Sequence, residues 1–174
     1  MSVRMERIVW KKNLLEQLAS LGEDGRVAAE YLRVRNTYIS FWKVRKNVGA
    51  FWTLLGTIHF NSFYYSVKTE VDNIGMLTLL IHEVKHLQQG LFLALSVYGE
   101  LEAWQLQFRL YHRLTGKPMH PAIAEMMSLP LEYDRTVLRR AQGLMQAYAG
   151  KGYRSDLLPL FPWGKEIKYR LKIK

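Results

Sequence analysis

The pattern of apolar and polar positions divides the chain into a helical stretch, a strand-rich stretch and a second helical stretch. Apolar residues recur at helical spacing over Arg4–Leu21, and Gly22 is placed to end that helix. A second, short helix is predicted over Asp24–Arg33. The next segments are rich in β-branched and aromatic residues and predict a small antiparallel sheet of three strands, Thr37–Val44, Ala50–Leu55 and Thr57–Phe63.

Helical spacing returns after Thr69. The predicted helices are Val71–Gln89, Leu93–Leu114, Pro121–Ser128 and Arg135–Ala149. Gly90 and Gly150 are placed to end two of them, and Asp134 to cap the last. The basic tail, Ile167–Ile173, has a strand-like pattern. The pattern predicts a single α+β domain over residues 1–174, with the small sheet preceding the long helix that begins near Val71.

Composition and charge restrict the classes of function. The chain has no cysteine, which excludes disulfides, thiolate metal ligands and a cysteine nucleophile. The N-terminus lacks the pattern of a signal peptide and the apolar runs are too short to span a bilayer, so we expect a soluble, cytoplasmic protein. The net charge is +10, but the basic residues are scattered and no nucleic-acid motif organises them. Nucleic acid is therefore not the expected partner, although the charge keeps it open as an alternative.

Residues 82–86 read His-Glu-Val-Lys-His and carry the candidate chemistry. On a helix, positions i and i+4 lie on one face, so His82 and His86 can direct two imidazole nitrogens at one zinc ion. Glu83 lies one residue beyond the first ligand, where a carboxylate can act as general base toward water. The flank Leu77–Ile81 is apolar and predicts a buried helix, on which charged groups need a partner.

A catalytic zinc site needs a third protein ligand, for which Glu100 and Glu102 are the candidates on the next helix. If the chain reverses near Gly90, Glu100 lies level with the two histidines, while Glu102 lies about 3 Å farther along and on another face. Helix geometry therefore favours Glu100. Glu102 stays open as the alternative ligand or as a residue that contacts and supports a ligand.

The combination of His82-Glu83-Val84-Lys85-His86 with Glu100-Leu101-Glu102-Ala103 resembles the gluzincin metallopeptidases, especially the minimal, single-domain ones. That family has HExxH followed by a glutamate in an E-x-x-A context. The resemblance implies a zincin-like fold in which His82, His86 and Glu100 bind Zn²⁺ and Glu83 activates water for peptide hydrolysis. Position 104 is Trp where many relatives carry an acid or Asn that supports a histidine. We therefore expect that support from another residue; the candidates are Asp72, Asn73, Glu102 and Asp134.

The family also places a substrate-binding edge strand before the active helix. Thr57–Phe63 is the matching segment, with Thr57, His59 and Asn61 as candidate substrate contacts through β-augmentation. For His59 the simpler interpretation is a half-buried strand histidine. A tyrosine or arginine of the glycine-containing segment Tyr148–Arg154 is a further candidate to close over the cleft.

The sequence thus predicts a zinc-dependent hydrolase that acts on a peptide or protein. One alternative is a binding protein that keeps zinc for structure, with four protein ligands. The other is a basic, nucleic-acid-associated protein in which the fold no longer catalyses. The sequence leaves the substrate and the oligomeric state open.

Overall fold

A computed structural model describes residues 3–150 and 152–172 of the chain, with side chains from residue 5 onward. Within these residues the fold is α+β, as predicted, with a three-stranded sheet and mostly helical structure. The helices are α1 Val3–Ser20, α2 Glu23–Val34, α3 Ile74–Gln89, α4 Leu91–Ala94, α5 Val97–Thr115, α6 Pro121–Ser128, α7 Arg135–Ala149 and α8 Trp163–Arg170. The strands are β1 Ile39–Trp42, β2 Ala50–Trp52 and β3 Ile58–Asn61, and a short 3-10 turn covers Ser155–Leu157.

The chain divides into two compact units, Met1–Lys85 and His86–Lys174. The division lies within α3, which is one continuous helix. A single domain over residues 1–174 stays a prediction.

The first unit begins with the helical pair α1 and α2. Leu14, Leu18 and Leu32 are completely buried between these elements and their neighbours. Gly25 is required at the start of α2, since a Cβ there would lie 2.1 Å from the carbonyl oxygen of Leu18. The tight turn between the helices therefore depends on a residue without a side chain.

The sheet of the first unit is mixed, not antiparallel as the sequence predicted. Its order is β1-β3-β2, with β1 parallel and β2 antiparallel to β3. The cause is the connection after β1, which crosses the end of β3 and delivers the chain to its opposite edge. Asn61 holds this connection because its side-chain amide donates to the carbonyls of Arg45 and Val48, at 2.9 and 2.7 Å. Residue pattern identifies strands, but this tertiary contact decides which of them pair.

One face of the sheet packs into the core of the first unit. Ile58 and Phe60 on β3 are completely buried, and Phe41 on β1 meets the ring of Trp10 from α1 at 5.2 Å. Helix α3 starts at Ile74, later than the predicted Val71, because the Asn73 side chain accepts a hydrogen bond from the Met76 amide and caps the helix.

The second unit is helical, with α5, α6 and α7 around one apolar core. Helices α6 and α7 have the predicted bounds, and Asp134 caps α7 by accepting from the Val137 amide at 2.9 Å. Helix α5 starts at Val97, where the Ser96 hydroxyl accepts from the Gly99 amide, so the predicted start at Leu93 was early. The buried Gln105 amide donates to the carbonyls of Met126 and Leu129 and joins α5 to the end of α6.

The prediction of a strand-like tail was wrong, because residues 163–170 form α8. Glu166 is buried on this helix and pairs with Arg170 one turn later and with Arg135 of α7. Burial alone would raise the pKa of Glu166, but the hydrogen bond from Arg170 and the charge of Arg135 outweigh it and lower that pKa. An ion pair at helical spacing therefore favours helix where residue pattern suggested strand. Among the described residues, no helix has the length and apolar character needed to cross a membrane.

Candidate metal centre

Helix α3 carries His82, Glu83 and His86 in its second half. The two histidines are one turn apart on the same continuous helix, and all three side chains are buried. Three polar side chains in an apolar helix are costly to bury unless each has a chemical partner. The predicted location of the motif, within a buried helix, is confirmed.

Glu100 is brought to the histidines by the first turn of α5. Ser96 and a short turn of helix, α4, fix where α5 begins after Gly90. His82, His86 and Glu100 each offer one ligand atom, and these three atoms lie within 4.8 Å of one another. Nε2 of His86 lies 3.5 Å from Oε1 of Glu100. The predicted ligand set is therefore brought together as a group that could hold a metal ion.

Gln89 orients the ring of His86, a role that was not predicted from the sequence. Its Nε2 donates to the carbonyl of Gly99 at 3.0 Å and to the carboxylate of Glu102 at 2.9 Å. With two acceptors on its nitrogen, the amide presents Oε1 to Nδ1 of His86, 3.1 Å away. Nδ1 of His86 must then carry the ring proton, because an amide oxygen only accepts. The position of Gln89, one turn after His86 on α3, is the signal that could have found it.

In the neutral ring, a proton at Nδ1 leaves a lone pair at Nε2, the atom that faces Glu100. A neutral imidazole nitrogen and a carboxylate oxygen both accept, so they repel at 3.5 Å unless a proton or a cation lies between them. Two ligands at zinc distances of about 2.0–2.2 Å and a tetrahedral angle lie roughly 3.4 Å apart. Two imidazoles and one carboxylate are a donor set that zinc prefers. The residues present therefore fit this ion.

The second oxygen of Glu100 is held by two donors from the second unit. The Tyr153 hydroxyl donates to Oε2 at 2.5 Å, and Nε1 of Trp104 lies 3.2 Å from the same oxygen. The indole also donates to the Tyr153 hydroxyl at 2.9 Å. Oε1 is thereby left directed at His86. Trp104 supports the carboxylate ligand at the position where the family resemblance implied support for a histidine.

Among Glu102, Asn73 and Asp134, each a candidate to support a histidine ligand, only Glu102 takes that role in the structure. Glu102 contacts Gln89 and takes part in the support of His86, and it is Glu100 that joins the histidines. Asn73 and Asp134 cap helices α3 and α7 instead. Capping was the interpretation given to Asp134 by the helix pattern alone, and that interpretation is confirmed.

The predicted substrate-edge strand was wrong, because β3 is the central strand of the sheet. Both of its edges are paired, so Thr57, His59 and Asn61 cannot receive a peptide by β-augmentation along β3. Asn61 is buried and holds the connection after β1. His59 is buried between two hydroxyls, with Nδ1 2.7 Å from Ser40 Oγ and Nε2 2.9 Å from Thr57 Oγ1. Burial lowers the pKa of His59 and keeps its ring neutral.

No protein-family model, curated protein or solved structure matches this chain. What the centre does must therefore be inferred from its own residues. The most informative of these are two buried histidines, a carboxylate held by tyrosine and tryptophan, and a buried glutamate beside the first histidine.

Proposed function

We propose that the chain is a zinc-dependent hydrolase with a zincin-like, gluzincin-type site, and that its substrate is a peptide or protein. The observation that carries this proposal is the grouping of His82, His86 and Glu100, which each bring one ligand atom to within 4.8 Å of the others. The order of the motif residues, HExxH and then E-x-x-A, supports the same assignment.

The roles follow from the chemistry of each side chain. His82, His86 and Glu100 hold the ion, while Gln89, Trp104 and Tyr153 keep two of these ligands in position. Zinc, when bound, supplies a Lewis acid for a carbonyl and lowers the pKa of coordinated water. Glu83 accepts a proton from water as the oxygen attacks the carbonyl carbon. The same carboxyl group then passes that proton to the leaving nitrogen as the amide bond breaks.

A structural zinc site would be closed by four protein ligands. Among the described residues, the group around His82 contains two histidines and one glutamate. Three ligands leave a coordination position for water or substrate, which favours catalysis over the non-catalytic alternative.

The test combines metal analysis with a Glu83→Gln variant. We expect about one zinc per chain in both the original protein and the variant, because Glu83 is not a ligand. We expect hydrolysis of a fluorescence-quenched peptide library to fall by roughly 10²- to 10⁴-fold in the variant, because the amide cannot accept the proton. Glu70→Gln, which removes an exposed acid from the same unit, should leave the rate unchanged.

Each outcome distinguishes the alternatives. A protein without zinc under metal-replete conditions would contradict the metal site. Full turnover by the glutamine variant would contradict the role of Glu83 as base. Stoichiometric zinc without hydrolysis of any peptide would support the binding protein that keeps zinc for structure.

A further inference from the structure

The face of the sheet opposite the core carries exposed aromatic rings. Tyr38 and Trp42 are 54% and 57% exposed, and with the half-buried Phe51 they surround His59. The ring of Trp42 lies 4.5 Å from that of His59 and 6.1 Å from that of Phe51, while the Tyr38 ring lies 6.5 Å from His59. Exposed rings that cluster on one face in this way mark a candidate contact surface.

The surface under these rings is fixed. Hydrogen bonds with the hydroxyls of Ser40 and Thr57 hold both nitrogens of His59, and the Thr57 hydroxyl is itself bonded to Thr53 at 2.6 Å. Phe51 and Ser40 pair in register with His59 from the two neighbouring strands. Rings on paired strands lose little conformational freedom when a flat ligand stacks on them.

Positive charge lies next to the exposed rings. Lys43, Arg45 and Lys46 directly follow Trp42 in the connection after β1, and all three are exposed. Asn61 and the Tyr64 hydroxyl, which donates to the Lys46 carbonyl at 2.5 Å, fix this connection. The sequence has no Asp or Glu from Tyr31 to Thr69, so no acid of this segment offsets these cations. The local field favours an anionic partner.

We propose that this aromatic face, defined by Tyr38, Trp42 and Phe51 with the basic connection Lys43–Lys46, binds single-stranded nucleic acid. Aromatic rings stack on bases of any sequence, and lysine and arginine beside them contact the phosphates. Tyr38 and Trp42 are four residues apart on the same face of the sheet, on either side of His59, so each ring offers its own position for a stacked base. Most basic residues are scattered along the sequence, but the three in this connection directly follow Trp42 and are exposed.

An anionic membrane is the competing partner for exposed rings and cations. The exposed leucines of this unit, Leu54 and Leu55, lie in the β2–β3 turn, at the end of the sheet opposite the basic connection. The exposed side chains beside the basic connection are aromatic, since Lys46 Nζ lies 4.7 Å from the centre of the Phe63 ring and the Tyr64 hydroxyl donates to the Lys46 carbonyl. Aromatic rings stack on bases, whereas the aliphatic side chains that would enter a membrane lie at the other end of the sheet, and this arrangement favours the nucleic acid. The proposal does not use the metal centre and is independent of hydrolysis.

The test is fluorescence anisotropy of the full chain with a labelled oligouridylate of about 12 nucleotides, at an ionic strength of about 0.15 M. We expect Trp42→Ala to weaken binding by roughly 5- to 100-fold and Trp42→Phe to retain most of it. The triple variant Lys43→Ala/Arg45→Ala/Lys46→Ala should weaken binding and reduce the salt slope by about 0.7 for each phosphate that is no longer neutralised. Rescue by phenylalanine separates loss of stacking from loss of folding.

Two matched controls sharpen the result. The variant Lys117→Ala/Arg139→Ala/Lys168→Ala removes the same charge from exposed positions of the second unit and should change binding little. Leu54→Ser/Leu55→Ser should leave oligouridylate binding unchanged. Equal weakening by the two triple variants, or unchanged binding by Trp42→Ala, would overturn the proposal. Binding to phosphatidylserine vesicles but not to oligouridylate would also overturn it, in favour of a membrane.

Discussion

His86 and His59 are both buried, yet different chemical groups face the two ring nitrogens of each. His59 has a hydroxyl at each nitrogen, from Ser40 and Thr57, and a hydroxyl can donate or accept as the ring requires. His86 has an amide oxygen at Nδ1 and the carboxylate of Glu100 at Nε2. The first ring contacts two hydroxyls, whereas Nε2 of the second faces a carboxylate oxygen within the group that could hold a metal ion. This difference, and not burial, distinguishes a structural histidine from a candidate ligand.

Alanine at each of these histidines gives the largest contrast. We expect His86→Ala to lower the zinc content from about one per chain to near zero, because a three-ligand site loses one ligand. His59→Ala should keep its zinc but lower the free energy of unfolding by about 1–3 kcal/mol, since the buried Ser40 hydroxyl loses its side-chain partner and the Thr57 hydroxyl loses one of two. Metal analysis and denaturant unfolding of both variants measure the two effects. Loss of zinc from a folded His59→Ala protein would contradict the distinction.

A smaller effect is expected from the amide that orients His86. Gln89→Leu removes the acceptor at Nδ1 and should weaken zinc affinity by roughly 10- to 100-fold without removing a ligand. Competition with a chromogenic chelator measures that affinity. Gln88→Leu, at the exposed neighbouring position, is the control and should bind zinc as the original protein does. An unchanged affinity in Gln89→Leu would show that the amide does not set the tautomer.

The candidate ligands could be predicted from the sequence, whereas the strand pairing and the residues that support Glu100 could not. His82, His86 and Glu100 were predicted because ligand spacing on a helix and the reversal near Gly90 are local properties. The pairing of β1 with β3 was not, because it depends on the contact between Asn61 and a connection more than ten residues earlier. Trp104 and Tyr153, which hold Glu100, are 49 residues apart in the chain, and no periodicity relates them. Local geometry was predictable, while groups joined only by packing were not.

The smallest expected effect is the pH dependence of stability contributed by His59. Burial lowers the pKa of this ring in the folded protein below the value of about 6.5 found in unfolded chains. As pH falls through about 6.5, the unfolded chain therefore binds a proton that the folded ring resists, and the free energy of unfolding decreases. The contribution is complete above that pH and is lost as pH falls toward the folded pKa, at no more than about 1.4 kcal/mol per pH unit.

His59→Gln should remove this slope, because glutamine can still bond to a hydroxyl but does not titrate between about pH 7.5 and 5.5. Urea unfolding of both proteins in the presence of a chelator measures the slope. Position 59 is the only difference between the two proteins, so contributions from distant groups cancel in the comparison. Identical slopes would mean that His59 is protonated as readily in the folded protein as in the unfolded chain. The hydroxyls of Ser40 and Thr57 would then accept from a charged ring, and the contrast with His86 would have to rest on the metal alone.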